Sequence, residues 1–300
     1  MAVLITPNQI GLREDLTTLD LMGDKLTVMY NKAKKGVAIN PHHEWLEDNM
    51  APGNASNAYV QGATFNFSTT DTKQRMGNWT QIFQNLAALS RTSIQSKLAN
   101  GNNFAVVSEL TFQKEKAMRQ TARDIDAAML TGTSQVPTAT LPGKMGGIIQ
   151  LTNTANQYTN ATTGVLAWDD IDSGLTKMIE AGADPDTLIC QPVMKGTIAK
   201  LNRTEAPYQT VVYADQKATK GLEGHATFFE GSNASVEIYA DPRQAANTIT
   251  MFEADKTSLE VLGRANVENS IQFDGIGLAI VTECCLKLTH SKAAAVMVMA

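Results

Sequence analysis

Hydrophobic and polar positions follow a helical period most persistently between Phe104 and Thr131, FAVVSELTFQKEKAMRQTARDIDAAMLT. Val107, Leu110, Met118, Ala122, Ile125 and Met129 form a narrow apolar stripe, interrupted by Lys114. Glu115, Lys116, Arg119, Gln120, Arg123 and Asp126 populate the opposite face. Asn102 or Asn103 is a suitable N-cap, Glu109 lies early, and Arg119 and Arg123 fall toward the C-terminal half, as the helix dipole favours. Gly132 is placed to stop the helix. At about 1.5 Å per residue the rod spans roughly 40 Å. So thin a stripe predicts a helix lying on a surface, packed on one side and open on the other.

Ahead of it, residues 1–40 hold little that packs by itself. Leu16, Leu19, Leu21, Leu26 and Met29 suggest a short helix or two between Asp15 and Tyr30, broken by Gly23, and Lys34, Lys35 and Gly36 end the segment. This is an arm that needs something else to pack against. In residues 41–98, EWLEDNM and WTQIFQNLAALSRTSIQSKL flank a run rich in Asn, Gly, Ser, Thr and Ala. The flanks read as the arms of an extended hairpin, with Phe65 and Phe67 on one strand face between them. A polar excursion of this length is functional or disordered in most domains, and it buries too little apolar surface to hold itself in place. If ordered, it is ordered by another chain.

From Trp168 the pattern alternates. Asp169 is the expected cap of DIDSGLTKMIEA, with Asp170 and Asp172 in its first turn, Ile171, Leu175, Met178 and Ile179 as its stripe, and Gly182 as its stop. The strand TLIC and a second helix carrying Met194, Ile198 and Leu201 follow. SVEIYADP, TITMFEA, SLEVL, IQFDGIGLAIVTECCLKL and AAAVMVM read as strands. The class is α+β: an α/β unit in the middle and a strand-rich C-terminus.

Composition narrows the function classes. Three hundred residues with 43% hydrophobic side chains suffice for a real core, in one or two domains. A net charge of −5 and no basic tract argue against sequence-specific nucleic-acid binding. The first twenty residues have no secretory pattern, and no apolar window approaches membrane-spanning length. Three cysteines, two of them the adjacent Cys284 and Cys285 on opposite faces of a strand, fit small buried thiols better than disulfides.

Candidate chemistry is sparse. Capping accounts for Asp169, Asp170 and Asp172; His42, His43, His225 and His290 have no ligand spacing; Gly143–Lys144 lacks the following Ser or Thr of a phosphate loop. No cofactor, metal site or catalytic set is expected. Trp45 and Trp79 flank the excursion, and three readings stay open for them: packing on each other, anchoring a subunit contact, or filling a core at the hairpin base. Arg75 falls at the expected tip.

The order of elements resembles the major capsid protein of tailed bacteriophages, the Johnson or Hong Kong 97 type fold. Short local motifs agree: TPNQIGLREDL near the start, Glu44–Trp45 before the excursion, Thr80–Phe83 after it, and Gly146–Ile148 leading into the α/β unit. The resemblance implies an N-arm over residues 1–40 and an extended loop (E-loop) over 41–98. It implies a peripheral (P) domain of 99–145 and 256–300 with its spine helix at 104–131, and an axial (A) domain of 146–255. It further implies a non-enzymatic subunit that self-assembles into hexamers and pentamers of an icosahedral or prolate head around double-stranded DNA. Implied partners are a portal, scaffolding or decoration proteins, and DNA bound without sequence preference; there is no membrane partner. The implied location is the virion, after synthesis in the host cytoplasm. Because TPNQIG closely follows Met1, a separate scaffolding protein or none is expected in place of a fused one. Interface candidates are Trp45, Phe65, Phe67, Arg75, Trp79, Arg119, Arg123 and Asp126. The rival classes are an α/β enzyme with a lid loop and another virion component, a tube or decoration protein.

Overall fold

The computed structural model describes residues 27–50, 53–64, 73–90, 104–204, 228–270 and 275–299. The arm up to residue 26, the caps expected at Asn102 and Asn103, and Phe65 and Phe67 lie outside the described residues. In chain order, α1 (Val28–Lys32) and β1 (Lys34–Val37) precede β2 (His42–Glu47), β3 (Gln74–Trp79) and β4 (Gln81–Ser90). The long helix α2 (Phe104–Thr131) has the bounds its periodicity predicts, and the Gly132 N–H closes on the Ala128 carbonyl. Next come α3 (Ile148–Leu151), β5 (Gln157–Thr159), α4 (Trp168–Glu180), β6 (Thr187–Cys190) and α5 (Pro192–Thr204). β7 (Phe228–Glu230), β8 (Ser235–Ala240), β9 (Thr248–Phe252), β10 (Thr257–Ser270), β11 (Gly275–Leu288) and β12 (Ala294–Val298) complete the chain.

The described strands make three sheets, ordered β1-β10-β11-β4, β5-β12-β9-β6-β8-β7, and β2-β3. The four-stranded sheet lies against α2, where Phe83, Ile125, Met129, Leu130, Cys285 and Leu286 share one core. The six-stranded sheet covers a second core, in which Ile171, Leu175 and Met178 of α4 meet Leu188, Ile249, Met251 and Met297. β6 feeds both: Leu188 and Cys190 enter the second core and Ile189 the first. That double burial is why every residue of TLIC and TITMF is buried, the threonines included.

Three details differ from the sequence reading. Lys34–Val37 is a strand parallel to β10, and Gly36 permits it, since a Cβ there would fall 2.1 Å from Glu260 Oε2. The C-terminal strand β12 does not stay with the sheet of the long helix. It pairs antiparallel with β9 and parallel with β5, because Ala294–Met297 are all buried and need cover on both faces. The cap of α4 is the backbone of Ala167, not Asp169; the Asp170 carboxylate, three residues into the helix, accepts the Ala167 N–H at 2.9 Å and the Ala161 N–H at 2.9 Å. Gly182 ends α4 as expected, at φ +85°, with the Gly182 and Ala183 N–H groups turned back to Ile179 and Met178.

Candidate functional site

The base of the hairpin is a two-stranded ladder running from His42 opposite Trp79 to Glu47 opposite Gln74. With a side-chain period of two, His43, Trp45 and Glu47 share one face with Asn78, Met76 and Gln74, while His42, Glu44 and Leu46 share the other with Trp79, Gly77 and Arg75. Trp45 is buried and packs with the main core. Trp79 stands on the opposite face, stacked on His42 at 4.3 Å between ring centroids. The two tryptophans therefore do not meet; Trp45 takes the core reading. Gly77 leaves the space that His42 occupies, since a Cβ there would approach His42 Nε2 to 2.7 Å. Arg75 and His42 both pair with Glu44, each at 3.4 Å. These half-exposed pairs orient the face more than they stabilise it.

Polar clamps join this base to the body. The Glu47 carboxylate accepts the Ser291 N–H at 2.9 Å and the Ser291 hydroxyl at 2.8 Å. Asn78 exchanges two hydrogen bonds with Gly146 and donates a third to the Leu286 carbonyl. Thr80 donates to Glu283 at 2.5 Å, and Gln81 accepts the Met145 N–H at 3.2 Å. Glu47 and Asn78 are buried, so each satisfied bond also avoids an unpaired polar group. Beyond this base, Met50, Tyr59 and Val60 are exposed at 98%, 80% and 80%. The base is fixed and the far end carries bare apolar side chains.

On α2 the buried line runs through Ala117, Thr121, Ile125 and Met129, one position away from the predicted Met118, which is 47% exposed. Asn85 of β4 donates to Thr121 at 3.0 Å and to Asp124 at 2.9 Å, which sets that register. Arg119 and Arg123 are half-buried and each has an interaction within the chain. Asp126, expected on the open face, is fully buried: it accepts the Tyr30 N–H at 2.8 Å and lies 3.2 Å from Arg243 Nε. It is therefore withdrawn from the surface, a correction that follows from its pairing with distant parts of the same chain. Burial first, and Asp241 beside it, push its carboxyl up to about 8. Between the last turns of α2 and β4 lies a groove of about 460 Å³, lined by Ile82, Phe83, Gln84, Asp124, Ala127 and Ala128.

The remaining chemistry is structural. Cys190, Cys284 and Cys285 are free and buried, and burial pushes each thiol up to about 12, which leaves them protonated. Asp172 accepts the Ser232 N–H and hydroxyl at 2.7 and 2.8 Å. Among the described residues no group of three or more His, Cys, Asp and Glu side chains is placed to hold a metal ion, and no helix is long and apolar enough to cross a membrane. Sequence reasoning missed the clamps of Asn78 and Glu47 and the Asp126–Arg243 pair. Glu47 stands in no motif, Asn78 only in an Asn-Trp-Thr triplet that says nothing of these contacts, and their partners lie far along the chain.

The family model of the SU10 major capsid protein matches residues 6–299. Comparison with curated proteins finds no match. Among solved structures, the capsid of a native GTA particle is 12% identical, with a TM-score of 0.68, covering 95% of this chain and 93% of that one. A structure from Mycobacterium phage Adephagia is 9% identical, with a TM-score of 0.61 and coverage of 99% and 98%. The holo-SrpI encapsulin complex of Synechococcus elongatus PCC 7942 is 9% identical, with a TM-score of 0.58 and coverage of 100% and 96%. These likenesses are of fold.

Proposed function

The chain belongs to the SU10 major capsid protein family, and from that premise we propose how it builds a shell. It is a structural shell subunit of a bacteriophage head, with the Hong Kong 97 type fold. Our reading is that copies associate as hexamers and pentamers and enclose double-stranded DNA, with a portal and separate scaffolding or decoration proteins as partners. Synthesis in the host cytoplasm and the absence of catalysis belong to the same reading. The net charge of −5 suits a container whose inner surface must not grip phosphate strongly.

The observation that carries this reading is the hairpin. Its base is clamped by buried hydrogen bonds while Met50, Tyr59 and Val60 face solvent. In a lone subunit those side chains gain nothing; a neighbouring copy that covers them turns exposed apolar area into association energy. We therefore propose that residues 48–73 lie across the neighbour, near its α2. The outer hairpin face of Trp79 and Arg75 and the half-buried Arg119 and Arg123 are interface candidates, together with Phe65 and Phe67. The assignment of residues 1–40, 41–98, 99–145 with 256–300, and 146–255 to arm, E-loop, P-domain and A-domain is kept as part of this proposal, with β12 transferred to the A-domain sheet. The enzyme and the tube or decoration readings are not favoured, since the capsid family covers nearly the whole chain.

Light scattering on the purified chain tests the proposal. Capsomers or closed particles are expected as concentration rises. A stable monomer across the accessible range would count heavily against it.

A further inference from the structure

Two buried carboxylates share one guanidinium where three distant stretches of chain converge. Asp126 comes from the last turns of α2, and Asp241 and Arg243 from the turn that follows β8. Arg243 is committed to Asp241: its backbone N–H reaches Oδ1 at 2.9 Å, Nε the same oxygen at 3.0 Å, and Nη2 the Oδ2 at 3.3 Å. Nε carries a single hydrogen, and that hydrogen points to Asp241. Asp126 Oδ2, only 3.2 Å from the same nitrogen, is left buried and without a hydrogen bond. Its other oxygen accepts the Tyr30 N–H, and Asp241 Oδ2 lies 3.5 Å from the Val28 N–H, so α1 is held by both carboxylates. Two carboxylates thus crowd one guanidinium nitrogen, and only Asp241 receives its hydrogen.

We propose that Asp126, Asp241 and Arg243 form a proton-operated latch that fastens α2 and α1 to the six-stranded unit. A proton on Asp126 Oδ2 satisfies the orphaned oxygen, donates to Asp241, and makes the cluster neutral. Removing it leaves a net negative charge in a dry site, which opening to water relieves. The geometry and the upward displacement of the Asp126 carboxyl agree.

Among the described residues, no other charged side chain hydrogen-bonds Asp126 Oδ2. Lys35, which follows α1, lies over the Tyr30 ring at 3.7 Å and donates to the Tyr30 carbonyl. Burial lowers the pKa of Lys35, although Cys284 and Asp126 favour its charged form. Cys284 of β11 is kept neutral by burial. Lys32, at the end of α1, pairs with Glu237 at 2.9 Å and sits over the Tyr239 ring.

The sign follows from linkage. The closed state holds its proton up to about 8, whereas an opened Asp126 releases it at its ordinary value of 3.8. The latch is fully fastened below the ordinary value and is lost as pH rises through the higher one. Within that window the opening equilibrium gains up to roughly tenfold per pH unit.

The test is hydrogen exchange by mass spectrometry on the whole purified chain, read at the peptide containing Tyr30, from mildly acidic to mildly alkaline pH. It does not depend on assembly, so its outcome is separate from that of the shell proposal. Asp126→Asn is the control: its amide donates to Asp241 and accepts from Tyr30 at every pH. Relative to this variant, wild-type opening should climb steeply with pH; parallel profiles would overturn the latch. Infrared spectroscopy of the wild type supplies a measurement free of any variant. A protonated carboxyl band at neutral pH that disappears on alkaline titration is expected, and its absence at neutral pH would overturn the proposal.

Discussion

Asn78 and Gly146 exchange two hydrogen bonds: the Gly146 N–H donates to Asn78 Oδ1 at 2.8 Å, and Asn78 Nδ2 donates to the Gly146 carbonyl at 2.9 Å. A third bond, from Asn78 Nδ2 to the Leu286 carbonyl at 2.7 Å, brings in β11. One fully buried carboxamide thus ties the hairpin base, the loop before α3 and the main sheet together. Asn78→Ala strands up to three buried backbone groups, each at a cost of about 1–3 kcal/mol. A drop of several degrees in melting temperature is expected. A change within error would mean that the hairpin base is held by something else.

A glycine inside a helix normally invites replacement by alanine, with a gain of about 0.5–1 kcal/mol. Gly174 of α4 reverses that sign. A Cβ there would stand 2.3 Å from the Tyr158 hydroxyl and 2.4 Å from Met251 Cε, and Tyr158 already donates to the Asp170 carbonyl at 2.7 Å. Gly174→Ala should destabilise the chain in a denaturant titration, and a stabilised variant would show that β5 and α4 separate more easily than their packing indicates.

The three acids at the start of α4 should separate by their contacts. Asp170 satisfies two backbone N–H groups, so Asp170→Ala is expected to cost about 1–2 kcal/mol. Asp172→Ala loses its two bonds at the surface to Ser232 and should cost less. Asp169 contributes a first-turn charge, and its removal should cost at most about 1 kcal/mol. Calorimetry ranks the three. Impaired particle formation with an unchanged melting temperature would contradict a structural role for all of them.

The long helix was legible in the chain because its period persists over many turns and Gly132 marks its end. Only the first hairpin flank was legible: β2 overlaps EWLEDNM, but its partner is β3, Gln74–Trp79, with Arg75 at the base and not the tip. QIFQNLAALS, expected as the second arm, is β4 and pairs with β11, because apolar content alone does not say which of two successive strands closes the hairpin. Asp126 was misplaced for a physical reason: helical periodicity ranks residues by polarity, and its burial depends on Arg243, which no local pattern links to it. Likewise, Trp45 and Trp79 look equivalent as flanking tryptophans, but the pairing register alone decides that they face opposite ways. The departure of β12 from its expected sheet is of the same kind, since a run of buried small and aliphatic residues suits either sheet.

The central claim is that a hairpin rooted in one subunit is completed by the next. Replacing residues 48–73 with a short glycine-containing turn keeps the ladder from His42–Trp79 to Glu47–Gln74 and every clamp beneath it. Circular dichroism should then report a folded chain with a melting temperature close to that of the wild type. Electron microscopy of the same protein is the decisive measurement: the account predicts that shells are lost, because each copy gives up one contact made and one received. Closed particles of normal appearance from the shortened chain would contradict it.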